Sequence, residues 1–389
     1  MKLLRTLPTS RLIALVVGVA IVLVGGGAIA VAARGGAGSK PSPEPLANAI
    51  HDALAAPAPA GLSGHVTFTN KLFPSGALTG NVGSALMSGA GGRFWANDTG
   101  GRIELQSDAG DVQLTWNKTK ATVYDASSNT AYTFDLPQRQ DSGGPATPPS
   151  LDRIAAFLAE LGKHWNVSGA TPDSIGGQPA YDVRISPSHD GGLLGSAELA
   201  WDAVHGVPLK LAVYAQGASS PVLALEVQDI SFGPVSASDI DVAPPSGATI
   251  VDLSQGGVSG GTPSGRSAPV TGLAAVQAAA PFAVVAPDSL VGLPRRVISL
   301  VGGDSKAVVA VYGQGLGAVL VIERKQQSAQ NSGGGAMDAL PTVALDGVTA
   351  HELATHLGTI VTWDRGGVSY VLAGSVPPAA AEAAARALE

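Results

Sequence analysis

Hydrophobic and polar residues alternate with a period of two over most of residues 45–253. The apolar members of the clearest runs are Ile103, Leu105, Val112, Leu114, Trp116, Leu209, Leu211, Val213, Leu223, Leu225 and Val227. Turn-forming segments such as 108–110, 127–129 and 205–206 separate these runs. This pattern predicts an antiparallel meander that places its apolar residues on one continuous face of a long sheet.

Helical spacing appears only twice in the same part of the chain. The apolar positions are Leu46, Ile50 and Leu54 in the first stretch, and Ile154, Phe157, Leu158 and Leu161 in the second. Two short helices are too little to cover the apolar face of a long sheet. The sheet therefore either curls around its own side chains or leaves an under-filled apolar cavity suited to acyl chains. A fully packed core fits the pattern equally well.

Residues 269–389 predict a second, small α+β domain. A helix is expected around 270–281, and the prolines at 377 and 378 begin an alanine-rich terminal helix. The predicted strands lie near 297–301, 307–312, 318–324, 340–345, 359–364 and 368–373. Segments 35–44 and 254–268, rich in glycine, serine and proline, are expected to be linkers, which leaves 45–253 as the first domain.

The N-terminal residues 1–34 predict export from the cytoplasm. Basic residues at positions 2, 5 and 11 precede an uncharged apolar run, 12–33, which is long enough to span a bilayer with the remainder outside. Ala30-Val31-Ala32 also fits a signal-peptide cleavage site. Both a retained single-pass anchor and a cleaved signal peptide, which would leave the protein secreted, remain open, and either places the bulk of the chain outside the cytoplasm.

Charge and cysteine content exclude several classes of function. The 389-residue chain has no cysteine, so disulfides, thiolate metal sites and a cysteine nucleophile are excluded. Of its 23 basic residues, five lie within the first 40 positions, which leaves 18 against 30 acidic residues in the exported part. A body with a net charge of −12 is repelled by nucleic acid.

Two motifs resemble chemical sites but have the wrong spacing. In His351-Glu352-Leu353-Ala354-Thr355-His356 the two histidines are five positions apart, whereas a zinc-protease helix needs them four positions apart. Gly313, Gly315 and Gly317 follow an apolar strand, but another apolar strand comes next instead of the helix that a dinucleotide loop requires. A glycine-rich hairpin is the predicted structure there. The sequence therefore predicts no enzyme, no metal and no cofactor.

Several short motifs resemble those of LolA-type lipoprotein carriers, and they occur in the order of that family. Segment 64–70 resembles its first strand, 92–95 its G-x-hydrophobic-W strand, and 116–127 its D-G-x-x-L-W-x-Y-D hairpin. Near the end of the domain, 206–211 and 244–248 resemble its G-L-P and P-P-x-G motifs. The match covers roughly residues 45–252 and is most similar to actinobacterial LolA-like proteins.

The resemblance implies an unclosed antiparallel half-barrel covered by helices, with a hydrophobic cavity for acyl chains. A small second domain after a linker is also the arrangement of RseB/MucB-type regulators, which implies an anti-sigma factor as a possible partner. One departure matters: Ala96-Asn97-Asp98-Thr99 stands where many carriers have Lys-Arg-Pro, so the arginine that latches the carrier's lid has no counterpart. This difference and a retained anchor favour a tethered lipid binder over a shuttle.

The leading hypothesis is thus an extracytoplasmic, membrane-associated protein that holds a lipid or lipoprotein acyl chain. The alternative is an RseB-like regulator that senses envelope state and contacts an anti-sigma factor or another membrane protein. The residues expected to line the lipid cavity are Phe68, Phe94, Ile103, Leu105, Val112, Leu114, Trp116, Ile154, Phe157, Leu158, Leu211 and Leu225.

Overall fold

The alternating runs pair into two large sheets in the computed structural model, which describes residues 39–73, 85–136, 148–253, 270–302, 306–326 and 340–388. Over these ranges thirteen strands form the first sheet and nine form the second, and all but one of the pairings are antiparallel. The helices in these ranges are few and short. The fold is therefore mainly β with α, as the sequence predicts.

In the described residues, the first domain has thirteen strands and four helices. They are α1 (Leu46–Ala55), β1 (Leu62–Asn70), α2 (Ala85–Ser88), β2 (Ala90–Ala96), β3 (Gly100–Ser107), β4 (Gly110–Asn117), β5 (Lys120–Asp125), β6 (Thr130–Asp135), α3 (Leu151–Leu161), β7 (Trp165–Val167), β8 (Thr171–Ile175), β9 (Gln178–Pro187), β10 (Leu194–Asp202), β11 (Pro208–Ala215), β12 (Leu223–Phe232), α4 (Ala237–Ile240) and β13 (Thr249–Asp252).

Two meanders make the first sheet, and the pairing of β1 with β12 joins them. The strand order is β13-β6-β5-β4-β3-β2-β1-β12-β11-β10-β9-β7, and β8 also pairs with β9. Among the strands that the structure describes here, only β13 runs parallel to its neighbour, β6. The sheet is open, with β13 and β7 at its two edges.

The second domain contains a smaller sheet with a helix near each end of the segment. Its elements are β14 (Val270–Thr271), α5 (Leu273–Ala279), β15 (Ser289–Leu290), β16 (Leu293–Val301), β17 (Ala307–Tyr312), a 3₁₀ turn (Gly315–Gly317), β18 (Val319–Lys325), β19 (Thr342–Leu345), β20 (Val348–Thr355), β21 (Gly358–Arg365), β22 (Val368–Gly374) and α6 (Pro378–Arg386). The strand order is β14-β16-β17-β18-β22-β21-β20-β19, with β15 paired to β16. Every strand predicted here is present, and β14, β15 and β20 are additional.

Helices α5 and α6 pack on one face of the second sheet and bury its core. Glu323 of β18 points into this core and is fully buried. Its Oε2 accepts a hydrogen bond from the backbone N–H of Val285 at 3.0 Å. Burial raises the pKa of this carboxyl to about 7.

Hydrogen bonds join the two domains at one end of the second sheet. The carbonyl of Asp190 accepts a hydrogen bond from Gly317 N–H at 2.9 Å. Leu193 N–H donates to Ser375 Oγ at 2.9 Å, at the end of β22. Leu72 O accepts a hydrogen bond from His356 N–H at 3.0 Å, at the turn between β20 and β21. The first domain therefore contacts the second domain at the turns that follow β17 and β20 and at the end of β22.

Residues 1–34, which carry the predicted anchor or signal peptide, lie outside the described residues, as does the predicted linker at 254–268. Among the helices of the described ranges, none combines the length and the apolar character needed to cross a membrane.

Candidate functional site: an apolar sheet face

The predicted strand residues share one face of the first sheet, because residues directly opposite one another in paired strands point the same way. Phe94 lies opposite Ile103, which lies opposite Leu114. Leu105 lies opposite Val112 in the next row. We call this side the concave face.

Glycines on the concave face make room for its largest side chains. Gly101 lies opposite Trp116, and a Cβ added at Gly101 would lie 2.1 Å from Cζ2 of the Trp116 ring. The indole therefore occupies the space that a side chain at 101 would need. Gly92, opposite Leu105, similarly has no space for a Cβ, because the carbonyl oxygen of Glu104 is too close.

The part of the concave face formed by β1–β5 is a packed core. Its predicted lining residues are all nearly inaccessible to solvent and belong to one hydrophobic cluster: Phe68, Phe94, Ile103, Leu105, Val112, Leu114 and Trp116. Helix α2 covers them with Ala85 and Leu86. Asn70 Nδ2 donates to Leu86 O at 2.6 Å, which ties this helix to the end of β1. At these seven positions the side chains are buried in a packed cluster.

The part formed by β10–β12 is more accessible. One cross-strand row runs from Leu199 through Leu211 and Leu225 to Phe68. Leu199 is 37% exposed, and Leu211 and Leu225 are partly exposed, in contrast to Phe68 at 5%. We call Leu199, Leu211 and Leu225 the apolar strip.

Helix α1 covers the neighbouring β9–β10 region. Ala49 is buried against Tyr181, Val183 and Trp201, with the partly buried Ile50 beside them. The chain before the helix is fixed to the same region, since Tyr181 Oη donates to Ser42 O at 2.6 Å. This helix therefore packs on the sheet, as the sequence predicts.

Helix α3 packs mainly against α1 and leaves much of its apolar face uncovered. Its Ser150 cap accepts a hydrogen bond from Arg153 N–H, and His51 Nδ1 of α1 lies 3.0 Å from Pro149 O. Ile154 is buried, Leu158 is partly buried, and Phe157 is 64% exposed. The expectation that Phe157 lines an enclosed cavity therefore does not match its position, because the helix contributes only part of its apolar face to packing.

The opposite, convex face of β9–β11 carries charge. Glu198 is buried and pairs with Arg184 at 2.7 Å and with Lys210. Burial, followed by the hydrogen bond to Glu198, raises the pKa of Asp182 to about 7. These charged groups are on the other side of the sheet from the apolar strip, since Glu198 and Leu199 are adjacent residues in one strand. The apolar strip itself consists of three leucines and carries no charge.

Leu199 is the member of the strip that the sequence interpretation did not include. It alternates with polar or small residues in the run Ala197-Glu198-Leu199-Ala200-Trp201. The same period-two signal used for β11 and β12 could have identified it. A shallow depression is lined by Thr99, Asn117, Lys118 and Thr119 and includes none of the predicted lining residues.

The sequence matches no family model and no curated protein. Similar solved structures include MucB in complex with MucA(peri), with 13% identity and a TM-score of 0.40 over 87% of this chain and 94% of that chain. The Pseudomonas aeruginosa MucA/MucB complex matches with 13% identity and a TM-score of 0.42 over the same shares. A putative outer membrane lipoprotein-sorting protein domain from Vibrio parahaemolyticus matches with 11% identity and a TM-score of 0.20, over 47% of this chain and 89% of that one. The solved structures similar to this chain thus include MucB and a lipoprotein-sorting domain.

The two motifs with apparent chemistry adopt other structures. Positions 351–355 lie in strand β20, and His356 lies in the turn that contacts Leu72. The described residues contain no group of three or more potential metal-binding side chains. Gly315 and Gly317 form the turn between β17 and β18 that contacts Asp190. Gly315 has a φ of +63°, and a Cβ there would lie 2.8 Å from Asp190 Cβ, so this glycine permits the domain contact.

Proposed function

We propose that the protein is an extracytoplasmic, membrane-associated binder of lipid or lipoprotein acyl chains, with the apolar strip as its binding surface. The observation that carries the proposal is the accessibility of this apolar strip, whose Leu199 is 37% exposed on the same face of the sheet as the buried Phe68. Burial of an acyl chain contributes about 0.8 kcal/mol per methylene. Eight methylenes laid along the strip would therefore contribute roughly 6 kcal/mol before the cost of ordering the chain.

Photo-crosslinking in the native membrane tests this proposal. Cells that make the full-length protein are given a diazirine-bearing fatty acid, and the labelled peptides of the purified protein are mapped by mass spectrometry. We expect labels on β10–β12 and α3. The matched variants are Leu211→Trp, which fills the strip, and Ile250→Trp, at a 59% exposed residue of the edge strand β13.

The first variant should lose the label and the second should retain it. Equal labelling of the wild type and both variants, or labels confined to other surfaces, would refute the assignment of the strip.

The second candidate function is regulatory, with an anti-sigma factor or another membrane protein as the main partner. The hydrogen-bonded junction at Asp190, Leu193 and Leu72 favours it, because a change in the first domain would displace the second. Removal of residues 269–389 should then abolish capture of that partner and leave fatty-acid labelling of the first domain intact. Partner capture that is unaffected by the removal would rule this candidate out.

A further inference from the structure

The second sheet has a face that lies opposite its core, and this face is also apolar. We call it the outer face. Its side chains are Val297, Ser299 and Val301 of β16, Ala307, Val309 and Val311 of β17, Leu320, Ile322 and Arg324 of β18, Ser369, Val371 and Ala373 of β22, Ile360, Thr362 and Asp364 of β21, Thr349, His351 and Leu353 of β20, and Thr342 and Ala344 of β19. Most are partly exposed, Val297 is 50% exposed, and none belongs to the core cluster that α5 and α6 cover.

Strand register aligns these side chains into rows. The first row runs Val297, Val311, Leu320, Ala373, Ile360 and Leu353, and is apolar across six strands. The second runs Ser299, Val309, Ile322, Val371, Thr362 and His351. Antiparallel sheets with one face in water usually carry polar residues on that face. The first row of the outer face departs from this rule across six strands, which indicates that something covers it.

Charge on the outer face is limited to its third row and is arranged symmetrically. Arg324 of β18 and Asp364 of β21 are both exposed. Ser369 of β22 lies directly opposite each of them, in the strand between. The two charges therefore flank β22 at equal distances and at the same height along the strands.

We propose that the outer face binds a second copy of this chain, related by a two-fold axis parallel to β22. Rotation about such an axis places β18 of one copy over β21 of the other at the same height. Arg324 then faces Asp364 of the second copy, and the reciprocal pair forms as well. Leu320 faces Ile360 of the second copy, and Val371 faces its own counterpart. The contact is isologous, as expected for a two-fold dimer.

The size of the face predicts a reversible dimer. Six strands at about 4.8 Å spacing span about 29 Å, and the three rows cover about 20 Å along the strands. This footprint of roughly 600 Å² is somewhat below the roughly 800 Å² per partner of a standard stable interface. Two reciprocal ion pairs would therefore have a measurable influence on the dissociation constant.

Reversing these charges in the full-length protein tests this geometry. The dimer dissociation constant is measured by sedimentation over a range of protein concentrations in a mild non-ionic detergent. Asp364→Arg alone places two arginines face to face, and Arg324→Asp alone places two aspartates face to face. Each should raise the dimer dissociation constant by roughly tenfold or more. The double variant, which exchanges the two charges, should restore dimerisation.

Rescue in the double variant distinguishes this dimer from association through any other surface. A monomer at all concentrations would overturn the proposal, as would a dimer unaffected by the single reversals. Single reversals that weaken association without rescue in the double variant would indicate a charged partner other than a second copy, and would overturn it too.

Cross-linking provides a test that does not depend on charge. Because the chain has no cysteine, Val371→Cys introduces a unique thiol on the proposed axis. A short bismaleimide should join two copies through this residue, since packed sheets lie about 10 Å apart. Ile250→Cys is the control, on an exposed position of the first domain. Equal cross-linking at both positions, or none at 371, would refute the two-fold arrangement.

Discussion

Replacing one leucine in each half of the concave face by a larger side chain distinguishes a packed core from a binding surface. Leu114 is 7% exposed within the cluster covered by α2, whereas Leu211 belongs to the accessible apolar strip. Replacing either residue by tryptophan adds the same side chain to the same face of the same sheet. We therefore expect opposite consequences: Leu114→Trp lowers stability, and Leu211→Trp lowers lipid binding.

The magnitudes follow from the packing at each position. Overpacking a filled core costs about 1–3 kcal/mol. For a domain of about 150–250 residues each kcal/mol corresponds to about 2–4 °C in melting temperature, so Leu114→Trp should lower it by roughly 2–12 °C. At Leu211 the stability cost should stay within about 0.5 kcal/mol, the range of surface substitutions. If the indole displaces three methylenes of an acyl chain, the loss is about 2.4 kcal/mol, or roughly 50-fold in affinity.

Two measurements on the full-length variants check these values. Thermal unfolding followed by circular dichroism gives the change in stability, and the half-saturating concentration of the photoactivatable fatty acid gives the change in affinity. A large fall in melting temperature for Leu211→Trp, with no fatty-acid labelling of the wild type, would mean that the strip is ordinary core. In that case the lipid hypothesis is wrong.

Three further predictions concern the second domain, the domain junction and the membrane. Burial raises the pKa of Glu323 from 4.5 to about 7, so the free energy of unfolding is greatest below about pH 4.5 and decreases as the pH rises to about 7. Glu323→Gln should remove this loss, which is roughly 3 kcal/mol. Denaturant unfolding should therefore show the variant more stable than wild type at pH 8 and nearly equal to it at pH 4.5. Gly192→Val, at φ +58° with a Cβ 2.5 Å from Ser375 O, should accelerate hydrogen exchange at the Leu193 amide, whereas Gly217→Val, at φ +75° with open space around it, should not. Full-length protein should stay with membranes through an alkaline carbonate wash, and release of a shortened product would instead show a cleaved signal peptide.

The strands could be predicted because alternation with a period of two reports directly on which face of a sheet a residue occupies. Ile103 and Leu114 come from separate runs, yet both patterns place them on the face where the structure pairs them. Strand β20 was not among the predicted strands because its alternation is weak. Its inward-facing positions are Val348, the small Ala350 and Ala354, and the charged Glu352. The carboxylate at an inward-facing position interrupts the alternation of apolar and polar residues by which a strand is predicted.

The packing of α3 could not be predicted from the periodicity of its apolar residues. Helical spacing correctly predicts that Ile154, Phe157 and Leu158 share one side of a helix. It does not predict which surface this side meets, since that depends on residues distant in sequence. The helix is joined to α1 through His51 and Pro149, which are 98 positions apart. The interpretation therefore found the helix and its apolar side but not the partial exposure of Phe157.

At the domain junction, the sequence predicts the local turn but not the contact that this turn makes with the other domain. The glycines at 313, 315 and 317 predict a hairpin turn, and the structure has a turn there. The positive φ of Gly315 and its closeness to Asp190 relate that turn to a loop of the other domain. Local pattern explains why the chain reverses at this point. Only the pairing of two distant loops explains why a glycine is needed at 315.

The low charge of the chain connects its two accessible apolar surfaces. Only 14% of residues are charged, and neither the apolar strip nor the first row of the outer face contains one of them. Large contiguous apolar patches on soluble proteins mark binding sites or cause aggregation. The strip lies on the first sheet and the outer face on the second, so a ligand that covers one leaves the other exposed. Lipid binding and self-association should therefore stabilise the protein independently, and Leu211→Trp should leave the dimer intact while Asp364→Arg leaves fatty-acid labelling intact.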